Sequence, residues 1–278
     1  MALALTDVTF DYTLGRTRVV RALAGVTVSV EPGELVVVVG ATGSGKTTLM
    51  KLAAGLLKPT TGQVTVDGKF PSAGKGTSGV GLVFQDAESQ LFADTLLDDV
   101  AFGPRNQGLS IDEAQRRAAI ALGEVGLPAE EFGDRSPFSL SGGEARRAAI
   151  AGVIAMQPAY LLADEPTSGL DARGRRTVRE LLLAQRERAG VVVVTHAAEE
   201  FLAHADRLVV LGEGSVTWAG AGSVAVANPR ALVDAGLTLP DVLEAQMLAA
   251  ERGASLASYT LDPVAAAESL AAAARGEG

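Results

Sequence analysis

Between residues 3 and 30 apolar and polar positions alternate. Leu3, Leu5, Val8 and Phe10, and later Val26, Val28 and Val30, are the apolar members of the pattern. That is the period of half-buried strands in an antiparallel layer. The pattern then changes. Leu35-Val36-Val37-Val38-Val39 has no polar member, which fits a strand buried on both faces. Similar runs recur at residues 80–84, 160–163, 191–194 and 207–211, the last of which is the final strand expected. A shorter strand over 63–68 ends in a turn. Helical periodicity marks residues 48–54, 112–122 (with Ser110 as N-cap), 142–156, 173–188 and 197–203. The stretch 69–79, rich in Gly, Ser and Lys, is expected to be a mobile loop. Apolar strands separated by helices imply an α/β fold with a mainly parallel sheet covered on both faces.

In such sheets ligands sit beyond the carboxyl ends of the strands. Lys46, Gln85, Asp164, Glu165 and His196 each follow an apolar run, so residues far apart in sequence are expected at one sheet edge. The first run leads into Gly40-Ala41-Thr42-Gly43-Ser44-Gly45-Lys46-Thr47-Thr48. This fits the phosphate-loop pattern G-x-x-x-x-G-K-[ST], set between a strand and a helix. Glycines let backbone N–H groups curl around a polyphosphate, and the helix N-terminus adds its positive end. Lys46 would neutralise the β- and γ-phosphates, and the Thr47 hydroxyl would ligate Mg²⁺. Asp164 is placed to hold Mg²⁺ directly or through water. Glu165 is placed to orient and polarise an attacking water, where positioning counts as much as proton removal. A helix N-cap is the other reading of Asp164-Glu165-Pro166. Gln85 offers an amide to the metal or the water. His196 has either a structural role or a hydrogen bond to the γ-phosphate. Tyr12 is either a half-buried strand residue or a platform for a nucleotide base. A second phosphate device follows in Leu140-Ser141-Gly142-Gly143-Glu144, where two glycines at a helix start free backbone N–H groups and Ser141 adds a hydroxyl.

Composition narrows the class. The 278 residues are 47% hydrophobic, carry a net charge of −9 and include no cysteine. A packed core is expected, and disulfides, zinc–thiolate sites and thiol chemistry are excluded. The acidic balance and the lack of a dense basic block argue against a nucleic-acid partner. No signal peptide is evident at the N-terminus. No apolar run reaches the roughly 18–20 residues of a spanning helix, so attachment to a membrane would go through another subunit.

Taken in order, the phosphate loop, Gln85, Leu140 to Gly143, Asp164-Glu165, Ser168-Gly169-Leu170-Asp171 and His196 resemble the ATP-binding-cassette ATPases over roughly residues 3–220. The resemblance implies a P-loop NTPase core, an N-terminal antiparallel β layer and an inserted helical subdomain at about 88–158, together forming a nucleotide-binding domain over 1–222. A small C-terminal domain would occupy 223–278. It implies ATP and Mg²⁺, and a head-to-tail dimer with itself or a paralogue. In that dimer ATP on one phosphate loop is capped by the partner's copy of the Ser141, Gly142 and Gly143 loop, with the stretch 168–171 at the interface. Tyr12 matches the aromatic that stacks on adenine. Glu144 stands where glutamine is commoner and puts a charge beside that loop, or else points away to solvent. Ala163 is smaller than usual before Asp164, with little consequence expected.

Ser141 comes too soon after Lys46 for the long coiled coil of DNA-repair relatives, and one phosphate loop does not fit the two-cassette translation factors. The stretches 84–106 and 147–156 look like the ATPase subunits of energy-coupling-factor vitamin transporters and their cobalt and nickel relatives. The tail from Leu237 to about Leu270 is similar to that group's dimerising C-terminal domain, and residues 265–278 are alanine-rich. The resemblance implies a peripheral subunit on the cytoplasmic face of the membrane, powering a vitamin or transition-metal transporter through a transmembrane coupling subunit and a substrate-binding membrane subunit. Glu88, Gln90, Asp98 and Asp99 are candidates to meet basic residues of the coupling helices, or else form a solvated acidic helix start. The alternatives are an importer ATPase for amino acids or another solute, and a soluble cassette ATPase.

Overall fold

The computed structural model describes residues 2–15, 18–71 and 79–275. Residues 72–78, the centre of the expected mobile loop, and 276–278 lie outside the described residues. In chain order, β1 (Leu3–Leu14) and β2 (Arg18–Val30) precede β3 (Leu35–Val39), α1 (Lys46–Ala53), β4 (Thr61–Val66) and β5 (Val80–Val83). The helices α2 (Leu96–Asn106), α3 (Ile111–Glu124), α4 (Ala129–Phe132) and α5 (Gly142–Ile154) follow. Then come β6 (Tyr160–Asp164), α6 (Ala172–Gln185), β7 (Gly190–Val194), β8 (Arg207–Gly212) and β9 (Ser215–Ala221). The described chain closes with α7 (Gly222–Ala227), α8 (Pro229–Asp234), α9 (Asp241–Glu251) and α10 (Pro263–Arg275).

The alternating stretch forms the antiparallel sheet β2-β1-β4. The apolar runs form a second sheet, ordered β5-β6-β7-β3-β8-β9. Its first five strands run parallel, and β9 returns antiparallel beside β8. Every residue of β3, β6 and β7 is buried. Alternate side chains serve opposite faces. Leu35, Val37 and Val39 join the cluster holding α2, α3 and α5, while Val36 and Val38 join the cluster shared with α1 and the antiparallel sheet. Each fully buried aliphatic side chain is worth about 1.5–3 kcal/mol relative to exposure, so the apolar runs fix β3 as a central strand. Ala225, Leu232, Leu237 and Leu243 of the C-terminal stretch join the same cluster as α2, α3 and α5.

The expected helix at 112–122 is α3, and Ser110 caps it by accepting from the Glu113 N–H. Two expectations are corrected. Residues 207–211 are not the final strand. Glu213 and Gly214 take positive φ, and this tight turn folds β9 back on β8. The pattern Val216, Trp218 after a Gly-Glu-Gly turn was its sequence signal. Residues 197–203 are not one helix but two short 3₁₀ turns, Ala198–Glu200 and Leu202–His204. Phe201, between the two turns, leaves the helical region (φ −123°) and interrupts the run.

Candidate functional site

Because β3, β5, β6 and β7 are parallel neighbours or near neighbours, their carboxyl ends share one edge. A cleft of about 690 Å³ opens there. It is lined by Tyr12, Lys46, Thr47, Gln85, Asp164, Glu165 and His196, so residues expected to converge do so. Gly40, Ala41, Thr42, Gly43, Gly45 and Thr48 line it as well. Ser44 is buried in the loop, and its Oγ has no hydrogen-bond partner among the described residues.

The loop's shape depends on two glycines. Gly45, the N-cap of α1, has φ 103°, and a Cβ there would stand 2.6 Å from the Ala22 carbonyl oxygen. At Gly40, φ 152°, a Cβ would run into the Leu211 carbonyl. Lys46 bridges the loop, its ammonium donating to the carbonyls of Gly40 at 2.7 Å and Ala41 at 2.9 Å. Burial lowers the Lys46 pKa, while the nearby Glu165 and Asp164 charges favour its protonated form.

Thr47 Oγ1 donates to Asp164 Oδ2 at 2.8 Å. Burial pushes the Asp164 carboxyl up, with the Thr47 bond acting in the opposite direction. A hydroxyl and a carboxylate with an amide (Gln85) on the same cleft wall are hard oxygen donors, the set that suits Mg²⁺ with phosphate oxygens and water completing its shell. The unpartnered Ser44 hydroxyl and the Cβ-intolerant curl fit a polyphosphate in the same way.

Glu165 sits in the left-handed region, φ 49°. Its N–H donates to Val194 O at 2.8 Å, which ties β6 to β7. The Glu165 carboxylate then meets His196 Nδ1 at 2.8 Å. Neither Asp164 nor Glu165 caps a helix. Asp171 caps α6 by accepting from the Gly174 N–H at 2.7 Å. Tyr12 is half-buried, its hydroxyl 3.3 Å from Thr48 Oγ1 and its ring edge-to-face with Phe10.

The second candidate phosphate loop lies elsewhere. Ser141 and Gly143 line a separate depression with Arg147, Gly169, Leu170 and Asp171, and Gly142 is exposed beside them as the first residue of α5. Within one chain Ser141, Gly142 and Gly143 do not meet the phosphate loop. Glu144 does not point away to solvent. It folds back over the helix start, accepting from the Ser141 N–H at 2.8 Å and the Ser141 hydroxyl at 2.7 Å.

A second cleft of about 710 Å³ runs between β5, α2 and α5, lined by Phe84, Gln90, Leu91, Phe92, Phe102 and Met156 among others. Phe92 and Phe102 pack edge-to-face yet remain 57% and 46% exposed, an apolar surface of the kind that marks interaction sites. Most acidic candidates for that partner are engaged within the chain. Glu88 pairs with Arg146 at 3.0 Å. Asp99 accepts from the N–H groups of Phe92 and Ala93, and Asp98 accepts from the Thr95 hydroxyl at the start of α2. Gln90 faces the groove.

Sequence reasoning missed two parts of the phosphate-loop cleft. Val20, Arg21 and Ala22 form one wall, and residues 236–238 form another. Val19 and Val20, exposed on a strand whose other valines are buried, were a signal for the first. The loop at 236–238 carried none. Arg146, buried and bonded to the Glu165 carbonyl, was also missed.

The family model matching residues 23–168 is described as ABC transporter. The chain is 42% identical over 276 residues to the energy-coupling factor transporter ATP-binding protein EcfA2 of Symbiobacterium thermophilum, covering 96% of this chain and 95% of that one. Among solved structures it is similar to cbiO1 of Clostridium perfringens, part of the ABC transporter complex cbiONQ. The TM-score is 0.71 at 30% identity, over 88% of this chain and 98% of that chain. A dimeric ATP-binding cassette in a post-hydrolysis state, bound to ADP and Pi, also matches with a TM-score of 0.71 at 30% identity, over 80% of this chain and 98% of that chain.

Proposed function

The chain belongs to the ABC transporter family, and from that premise we propose that it is the ATP-hydrolysing subunit of an energy-coupling-factor transporter for a vitamin or a transition-metal ion. The observation that carries this reading is the joint between the two clefts. Gln85, just past the end of β5, lines the ATP cleft, and Gln90 and Phe92, a few residues on, line the apolar groove. No helix among the described residues is long and apolar enough to cross a membrane. The groove is therefore assigned to short helices of a transmembrane coupling subunit at the cytoplasmic face, which in turn contacts a substrate-binding membrane subunit.

In this reading Tyr12 stacks on adenine and the loop 40–48 wraps the phosphates. Thr47 and Asp164, with Gln85 beside them, would hold Mg²⁺, which would supply charge neutralisation at the phosphates. Glu165 orients the attacking water, and His196 steadies its carboxylate and reaches the γ-phosphate. Lys46 leaves its loop carbonyls for phosphate oxygens. The site is half of a whole, because the Ser141 loop serves the phosphate loop of a second subunit, either a copy or a paralogue, in a head-to-tail dimer. Residues 1–222 form the nucleotide-binding domain, with 88–158 its helical subdomain. Residues 223–278 form a small C-terminal domain that contributes to dimerisation.

Affinity capture of the full chain from detergent-solubilised membranes tests the reading. A polytopic coupling subunit, a small membrane protein and a second cassette are expected together. Capture with a solute-binding protein and no such small subunit would favour another importer class. Capture with no membrane protein, and ATPase activity stimulated by DNA or RNA, would overturn it.

A further inference from the structure

Arg146 lies on the second turn of α5, and only 6% of it is exposed. A guanidinium is seldom buried without compensation. Its Nε and Nη2 donate to the Glu88 carboxylate at 3.0 and 3.4 Å. Its Nη1 donates to the backbone carbonyl of Glu165 at 3.2 Å. That carbonyl also accepts from the Ser168 N–H at 3.2 Å.

One side chain thus joins three places in the fold. Glu88 belongs to the 3₁₀ turn Ala87–Gln90, whose last residue lines the apolar groove. Arg146 itself rides on α5, the helix that Ser141 caps. Glu165 bears the carboxylate beside His196, on a backbone whose positive φ is unfavourable for a residue with a side chain. Such a conformation persists only where neighbours over-determine it. The bonds from Arg146 and Ser168 to the carbonyl and from the Glu165 N–H to Val194 do so here.

We propose that Arg146 is a positioning residue for hydrolysis. It ties the turn bordering the groove to the Glu165 backbone, so that the aim of the Glu165 carboxylate depends on the seat of Glu88. Arg146 touches neither nucleotide nor water. It acts through Glu165, and the inference rests on the role of Glu165 given above.

The test measures steady-state ATP hydrolysis with Mg²⁺, and ATP binding, in the full chain or its membrane complex. Arg146→Gln is expected to lower kcat by about 10- to 100-fold, the scale of a catalytic group displaced by an ångström, with KM and ATP affinity within about twofold of wild type. Glu88→Gln weakens a charge-assisted bond to a neutral one and is expected to lower kcat by about threefold. Glu88 is 41% exposed, so this variant keeps the melting temperature of the wild type even where Arg146→Gln folds poorly. In the double variant the losses are not expected to multiply, because both act through one contact. Unchanged kcat in both single variants, multiplicative losses, or parallel loss of kcat and ATP affinity would overturn the inference. Glu165→Gln run alongside separates the causes. If it retains turnover, the role of Glu165 fails. If it loses turnover while the Arg146 and Glu88 variants keep theirs, only the present inference fails.

Discussion

Thr47 Oγ1 and Asp164 Oδ2 are 2.8 Å apart, and this bond joins the phosphate loop to the end of β6. Asp164 is only 3% exposed, so the Thr47 hydroxyl serves a carboxylate with little water around it. Removing one partner of such a pair leaves a buried group unsatisfied, at about 1–3 kcal/mol. Thr47→Val is therefore expected to lower the melting temperature and to weaken Mg²⁺-dependent ATP binding. Thr47→Ser keeps the hydroxyl and is expected to restore both. Thermal unfolding and nucleotide titration with and without Mg²⁺ check this.

The roles of Lys46 and Glu165 separate in a pair of substitutions. Glu165→Gln keeps the size of the side chain and its hydrogen-bonding oxygen but removes the charge facing His196. ATP binding is expected to persist, with turnover lowered by about 10²–10⁴-fold, the scale of lost general-base work. Lys46→Ala removes the ammonium that spans the loop and is expected to weaken nucleotide binding itself. Equal loss of binding in both variants would contradict these assignments.

The site was legible because its residues follow apolar runs, which read as strands of one mainly parallel sheet whose ligands gather at the carboxyl ends. Lys46, Gln85, Asp164, Glu165 and His196 were placed at one edge by that argument alone. What stayed hidden depends on contacts distant in sequence. Nothing in the alanine-rich pattern around Arg146 says that its guanidinium turns inward to Glu88 and the Glu165 carbonyl. Nothing local to residues 236–238 says that the loop reaches the cleft beside Tyr12 and Arg21. Strand β9 was missed for a different reason: its half-exposed alternation (Ser215, Thr217, Ala219) is weaker than the apolar runs that drew attention first.

The curl of the phosphate loop predicts a sharp glycine requirement. A Cβ at Gly45 meets the Ala22 carbonyl oxygen at 2.6 Å and a Leu23 methyl at the same distance, on a backbone at φ 103°. Steric and conformational costs add, the latter alone being about 1–3 kcal/mol. Gly45→Ala is expected to lower stability by at least this much and to abolish ATP binding. Gly43 also has positive φ, 82°, but a Cβ there meets nothing within 4 Å. Gly43→Ala should carry only the conformational part. Chemical denaturation of the two variants distinguishes the contributions.

Glu144 gives the last prediction. The Ser141 hydroxyl, then the Ser141 N–H, hold its carboxyl below the ordinary value of 4.5. A depressed pKa in the folded state means that the capping contact stabilises above the unfolded value and is lost as pH falls through the folded one. The side chain is partly exposed, so the effect on global stability is small. The effect on dimer closure is more telling. A negative charge at the start of α5 occupies the Ser141 donors that the proposed dimer offers to a γ-phosphate, and it repels that phosphate. Glu144→Gln accepts the same bonds through its amide oxygen without the charge. At about 0.3–1 kcal/mol for a charge at a helix terminus, the substitution is expected to tighten ATP-induced dimerisation by about two- to fivefold. Sedimentation of Glu165→Gln and the Glu144→Gln/Glu165→Gln double variant with ATP measures the difference. Added salt should shrink it, because screening acts on the charge and not on the cap. Lowering the pH toward the Glu144 pKa should move the single variant toward the double. A difference indifferent to both salt and pH would assign the effect to the shape of the cap instead.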